Sequence, residues 1–346
     1  MDSRELLRLI ERFGEATVAV AGDLLADLYI ASRPSGLSRE APVMILTEEG
    51  RWISPGGAAN AMACVLSLSG NVLPVGVVGD DAAGVMLLEE LEGRGMDTSG
   101  VIVAAGHGTY TKTRVFAGDL HTVKQQVMRI DRRPPDRVSG AVEKQVLAAI
   151  DKASGLADAW LVSDYDADFF TDSVISRLNG EGRSKILVVD SHRRLASFPG
   201  AMCVTPNEAE ASLATGIQID NDADAAQAAR HLRSACDAEW VFLTRGNRGM
   251  MIAGRDGSLV TIPIVGPEDI VDVAGAGDTV AAVLALSFAC DIEPVKAGVL
   301  AAVAASVVCM KTGVATVSID EIRTALEKYP PPAVQSIGSI VPDGQG

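Results

Sequence analysis

The chain has 346 residues, 48% apolar and only 4% aromatic, with a formal net charge of −15. This size and composition suit an Ala/Val/Leu-rich layered core in one large α/β domain or two smaller ones, and the acidic balance argues against nucleic acid or an anionic membrane as the main partner. Five widely spaced cysteines, none in a C-x-x-C, point to neither a disulfide framework nor a zinc site. With no signal-like N-terminus and no apolar run near the ~18 residues of a membrane span, a cytoplasmic protein is expected.

Residues 5–13 have the spacing of a short amphipathic helix, and 17–21 read as a strand ending at Gly22-Asp23. Asp23 and Asp27 follow, and a spacing of four puts both carboxylates on one side of an extended or a helical segment. They can grip sugar hydroxyls or be solvated loop acids; the segment alone leaves both open. Pro34, Gly36 and Pro42 then punctuate the chain, and 43–47 reads as a strand with no helix before it, which marks an inserted β element. Ser54-Pro55-Gly56-Gly57 is expected to turn into a small-residue helix over 58–68. Gly56 and Gly57 let backbone approach a ligand, and Asn60, in the first turn, can donate to and accept from one hydroxyl. A buried strand over 72–78 and a helix over 80–94 follow.

A second inserted pair of strands is expected over 108–115 and 123–130, joined through Ala117-Gly118-Asp119. Lys112 and Arg114, two apart, share a strand face, as do Arg129 and Asp131. Basic residues on a β lid suit an anionic substrate; alternating charge on a solvated hairpin is the competing explanation. Residues 132–139, with Pro134-Pro135, read as a linker. Helix 141–153, strand 159–163, helix 171–179, and strands 185–190, 202–204 and 240–244 restore the alternation of a mostly parallel sheet covered on both faces, and 250–253 with 259–264 form a hairpin. Ligands in such sheets sit beyond the carboxyl ends of the strands. Asp164, Asp190, Asn207 and Thr244 should therefore share one edge.

The run Asp272-Val273-Ala274-Gly275-Ala276-Gly277-Asp278-Thr279 opens into apolar residues 280–290, and a second apolar helix is expected over 297–310. Gly275, Ala276 and Gly277 leave backbone N–H groups accessible to a phosphate, with the helix dipole behind them. Asp278 then stands where it can serve as a base for an acceptor hydroxyl, or simply as a helix cap. Residues 329–346 read as a loose tail after one domain over 1–328.

Taken together, Asp272 to Thr279 resembles the D-x-x-G-A-G-D signature of ribokinase-like carbohydrate kinases, the phosphofructokinase B family, and Gly56 to Asn60 is similar to that family's N-terminal glycine motif. Asn207 and Glu210 match its N-x-x-E, and Thr244, Gly246 and Gly249 its T-x-G-x-x-G. Within the family, Ser38 to Val43, Thr111 to Val115, Gln125 to Asp131, Ser163-Asp164-Tyr165 and Lys311 to Ser318 resemble the branch that phosphorylates D-glycero-D-manno-heptose 7-phosphate to the 1,7-bisphosphate. Three departures stand out. Arg39 replaces a proline, Asp166-Ala167-Asp168 replaces a segment with a lysine, and Asp190-Ser191-His192 ends in histidine where that branch has lysine.

The resemblance implies a three-layer αβα sandwich with a β lid inserted over about 32–53 and 107–130, and in-line phosphoryl transfer from ATP. Asp278 would be the base, with Gly275, Ala276 and Gly277 forming the anion turn. Asp23, Asp27, Gly56, Gly57 and Asn60 would position the sugar; Lys112, Arg114 and Arg129 would meet its distal phosphate. Asn207, Thr244, Gly246 and Gly249 would shape the nucleotide pocket, with Glu210 holding Mg2+ through water. It also implies a possible monovalent cation near the turn, and exposed lid strands imply a homodimer. Another sugar or nucleoside kinase of the family, acting on fructose, ribose or fructose phosphate, and a non-catalytic sensor are the alternatives.

Overall fold

A computed structural model describes residues 1–118, 125–134, 137–266 and 271–337. The turn expected at 117–119 falls partly outside these residues, as do the start of the 123–130 strand, Pro135 of the linker and the tail beyond 337.

Helix α1 (Ser3–Ile10) leads into strand β1 (Thr17–Gly22), which is followed after one residue by β2 (Leu24–Leu37) and then β3 (Met44–Gly57). Next come α2 (Ala58–Ser67), β4 (Asn71–Gly79), α3 (Ala82–Gly93), β5 (Val101–Ala104), β6 (Tyr110–Ala117) and β7 (Gln125–Arg132). The alternating part continues with α4 (Gly140–Ser154), β8 (Ala159–Asp164), α5 (Asp172–Gly182), β9 (Ile186–Ser191), β10 (Cys203–Val204), α6 (Glu208–Thr215), α7 (Asp222–Ala235) and β11 (Trp240–Thr244). Antiparallel β12 (Met250–Gly254) and β13 (Leu259–Ile262) precede α8 (Ala276–Ala289), α9 (Pro294–Cys309), α10 (Ile319–Lys328) and β14 (Gln335–Ser336).

The large sheet has the order β14-β13-β12-β11-β10-β9-β8-β1-β4-β5, parallel from β11 to β5 and antiparallel beyond β11. Its strands show why the molecule has three layers. In β1, Val18 and Val20 join the core packed by α2, α8 and α9, while Ala19 and Ala21 join the core packed by α4, α5 and α7. A strand buried on both faces has no polar side to show. Helix α8 is buried from Asp278 to Phe288, as expected of a helix apolar all round that lies between a sheet and a neighbouring helix. Each such fully buried Leu, Val or Phe contributes ~1.5–3 kcal/mol of transfer free energy.

The small sheet runs β3-β2-β6-β7 and extends beyond the expected lid at Leu24 and Gly57 in its first pair and at Arg132 in its second, which comprises Tyr110–Ala117 and Gln125–Arg132. Strand β2 was not expected. Its first half is buried on both sides, so it shows no alternation, and its pairing shifts at Ala31/Ser32 and Pro34/Gly36 interrupt the rest. Pro55, Gly56 and Gly57 are likewise strand rather than turn, paired with Ala26, Leu25 and Leu24. The register puts Asp27, Tyr29, Lys112, Arg114, Arg129 and Asp131 on one face and Leu28, Ile30, Val115, Met128 and Ile130 on the other. The tail also departs from expectation, because Gln335 and Ser336 pair with Thr261 and Val260 and so cover the edge of β13.

Candidate active site

Gly275 precedes α8 in a left-handed conformation, φ +83°, and a Cβ there would lie 2.9 Å from Asn60 Nδ2. Only glycine lets this turn close on α2. No side chain among the described residues caps α8, so its first amides face the cleft beside Gly277 as a ready anion site. One turn in, Asp278 is 3% exposed. Its Oδ2 accepts from Asn60 Nδ2 at 2.7 Å and its Oδ1 from the Tyr165 hydroxyl at 3.0 Å. Burial pushes its pKa up to about 6 against the pull of these two hydrogen bonds.

Asp27 approaches from the inner face of the lid, paired with Arg114, and burial raises its pKa despite that partner. A Cβ on Gly56 would collide with the Asp27 carboxylate, so the glycine there makes room for an acid. Gly57 ends β3 and hands the chain to α2, with the Ala58 N–H donating to the Asp23 carbonyl.

Two expected contacts are redistributed. The Asp23 carboxylate accepts the backbone N–H groups of Tyr165, Ala167 and Phe169 at 2.8, 3.1 and 3.1 Å. It is the hub of the loop after β8, since buried amides need an acceptor, and burial with the nearby Asp164 pushes its pKa up to about 7. Arg129 lies on the same face as Arg114 but is 53% exposed and ion-paired with Asp131 at 2.9 Å. Of the three lid cations, Lys112 alone has no salt bridge or hydrogen bond among the described residues, although Asp27 and Asp131 attract it at longer range. Its ammonium lies 5.7 Å from the Tyr110 ring centre and 5.3 Å from that of Tyr165, and desolvation lowers its pKa.

At the strand ends, Asp164 accepts from Ser191 Oγ at 2.6 Å and Arg194 Nη1 at 2.8 Å, and Asp190 from Thr205 Oγ1 at 2.9 Å. Asn207 and Glu210 form a reciprocal capping box on α6, each backbone N–H reaching the other's side chain at 2.9 Å. Asn207 also bridges Thr244. A cavity of about 670 Å3 joins Asn207, Thr244, Gly246 and Gly249 to Ala276 and Gly277, with Pro263, Val265, Ala305 and Cys309 as an apolar wall. That volume and lining suit a nucleotide with its phosphates at α8.

Burial raises the pKa of Glu210, and the pKa of Asp190 is driven well up by burial and then by the Glu210 charge. Two mutually repelling hard-oxygen groups beside the anion turn fit a divalent cation. Among the described residues no three His, Cys, Asp or Glu side chains converge as direct ligands, so these groups suit a cation held mostly by phosphate and water. Tyr165 was missed as a site residue. Its position one step beyond a strand end was the available signal.

The family model for pfkB family carbohydrate kinases matches residues 15–322. A protein from Azorhizobium caulinodans, "Bifunctional protein HldE", is 37% identical over 318 residues, covering 90% of this chain and 65% of its own length. The protein of the same name from Geobacter metallireducens is 33% identical over 325 residues, with 93% and 65% covered. The chain thus spans just under two thirds of these relatives. Among solved structures, phosphofructokinase-2 from Escherichia coli superposes with a TM-score of 0.74 at 16% identity, covering 90% of this chain and 99% of that one. Ribokinase from Arabidopsis thaliana, complexed with ribose and ATP, gives 0.69 at 19% identity, covering 90% and 98%. At these identities the likeness is one of fold.

Proposed function

The chain belongs to the pfkB family of carbohydrate kinases and is an ATP-dependent sugar kinase, and from that premise we propose that its acceptor is a sugar phosphate, D-glycero-D-manno-heptose 7-phosphate, phosphorylated at O1. The observation that carries the phosphorylated acceptor is Lys112, an ammonium on the inner face of the lid that has no salt bridge or hydrogen bond among the described residues, and whose desolvation outweighs its attraction to the carboxylates of Asp27 and Asp131. A chain of net charge −15 repels an anionic sugar unless a local cation receives it. The heptose itself rests on the lid and strand-end motifs.

In this reading Asp27, held by Arg114, binds sugar hydroxyls together with Gly56, Gly57 and Asn60. Asp278 takes the proton of the attacking hydroxyl as its oxygen bonds to the γ-phosphorus and ADP departs. The amides from Gly275 to Asp278 hold the equatorial oxygens of the transferring group. Asn207, Thr244, Gly246 and Gly249 shape the nucleotide cavity, and Glu210 with Asn207 would orient the water shell of Mg2+, which neutralises triphosphate charge. An ATP-consumption screen over free and phosphorylated sugars tests the proposal. Heptose 7-phosphate should be turned over best; a preference for fructose, ribose, fructose phosphate or a nucleoside overturns it.

The ionised form of Asp278 is the working one, and its pKa is raised to about 6. In the free enzyme kcat/KM should therefore fall about tenfold per pH unit below about pH 6, two units higher than an ordinary carboxylate would allow. A profile from pH 5 to 8 that stays flat to its acid end would remove Asp278 as the titrating base.

A homodimer through the lid is also proposed. Met128 and Ile130 are 54% and 53% exposed beside Ile30 and Val115, an apolar sheet face that a second copy would cover. Sedimentation at micromolar concentration should show a dimer, and Ile130→Lys should shift it to monomer; a wild-type monomer contradicts the assembly.

A further inference from the structure

We propose that Tyr165 is the positioning residue for the Asp278 base, and that the loop wound around Asp23 exists to hold its hydroxyl in place. The inference rests on the reading of Asp278 as the base. A carboxylate that must meet an acceptor hydroxyl from one direction needs both its tilt and its rotation about χ2 set. Asn60 Nδ2 takes Oδ2 and the Tyr165 hydroxyl takes Oδ1, so donors on two different elements hold the group at both ends. The other charged or titratable groups around Asp278 are Asp27 on β2, Cys64 on α2, Lys112 on β6 and Asp190 on β9. None of these has a hydrogen bond to its carboxylate among the described residues.

The phenol is itself held. Its ring packs against His192, with centres 4.5 Å apart, and lies under the Lys112 ammonium. Its backbone N–H, with those of Ala167 and Phe169, points at the Asp23 carboxylate. That arrangement requires Asp166 and Asp168 at φ +57° and +71°, unusual for side-chain-bearing residues. Arg194 clamps the same loop through Asp164 and Asp166, both at 2.8 Å, and Phe169 and Phe170 anchor its far end, edge to face with ring centres 4.9 Å apart. Three reinforcing sets of contacts thus maintain a strained loop whose first residue touches the base. The phenol pKa is pushed well up by burial and by the Asp278 charge, so the group remains a proton donor in the hydrogen bond across the working pH range.

Tyr165→Phe removes one oxygen and tests this directly. Expected are a roughly 10- to 150-fold loss of kcat at pH 7.5, the worth of one hydrogen bond to a charged group, with KM for ATP unchanged because the nucleotide cavity contains no residue of this loop. The acid limb of kcat/KM should also move up by about half to one pH unit, since a hydrogen bond to the ionised form is lost. Tyr110→Phe, which alters the other ring beside Lys112, should leave the limb where it is. Wild-type kcat and an unmoved limb in Tyr165→Phe, with Asp278→Asn inactive, would sink the inference alone. An active Asp278→Asn would instead remove the reading beneath it.

Discussion

Replacing Asp278 by Asn should lower turnover by ~10²- to 10⁴-fold, the range for a lost general base, with folding and ATP binding preserved. The substitution is nearly isosteric in a site 3% exposed. The new amide oxygen can accept from Asn60 while its N–H group faces Tyr165, whose hydroxyl can rotate to accept; the phenol O–H then gives up its acceptor, while a buried charge is removed. Stability should hold or improve. Because the folded-state pKa is raised to about 6, the ionised carboxylate costs stability as pH rises from the ordinary carboxylate range through about 6, and above that the neutral amide is spared the cost. Single-turnover phosphorylation and a nucleotide-binding titration on the same sample make the measurement. Near-wild-type turnover in a folded variant would take Asp278 out of the chemistry.

Lys112→Ala should separate phosphorylated from free acceptors. Loss of a charge-assisted contact costs ~1.5–3 kcal/mol, tenfold or more in kcat/KM for heptose 7-phosphate, while the matching free sugar should change little. Arg114→Ala should behave differently. Its side chain neutralises Asp27 inside the lid, and removing one partner of a largely buried pair leaves the other charge stranded; activity on both sugars and lid stability should fall together. Equal losses for Lys112→Ala on the two substrates would reduce that residue to lid support, and a wild-type preference for free sugar would overturn the phosphorylated acceptor.

The contrast between Lys112 and Arg114 shows how far local pattern carries. Both were recognisable as cations on one face of a strand, because a period of two is a property of the chain itself. Which of them remains available depends on β6 lying parallel to β2 so that Arg114 meets Asp27, and on β7 bringing Asp131 to Arg129 within its own strand face. Strand β2 was hidden for a related reason: buried between β3 and β6, its first half has no polar side to alternate with.

By itself the sequence determined the layered α/β architecture, through the alternation of apolar strands with helices, and it marked the local runs Gly275 to Asp278, Asn207 with Glu210, and Thr244 to Gly249, each confined to residues within about eight positions of one another. Only the tertiary structure decided that Asp23 organises the 165–169 loop from 142 residues away, and that Asp278 is gripped by Asn60 from 218 residues away and by Tyr165 from 113. Those contacts follow from strand order and register. The free energy that selects them is the burial of two apolar cores rather than any preference carried by the residues that meet.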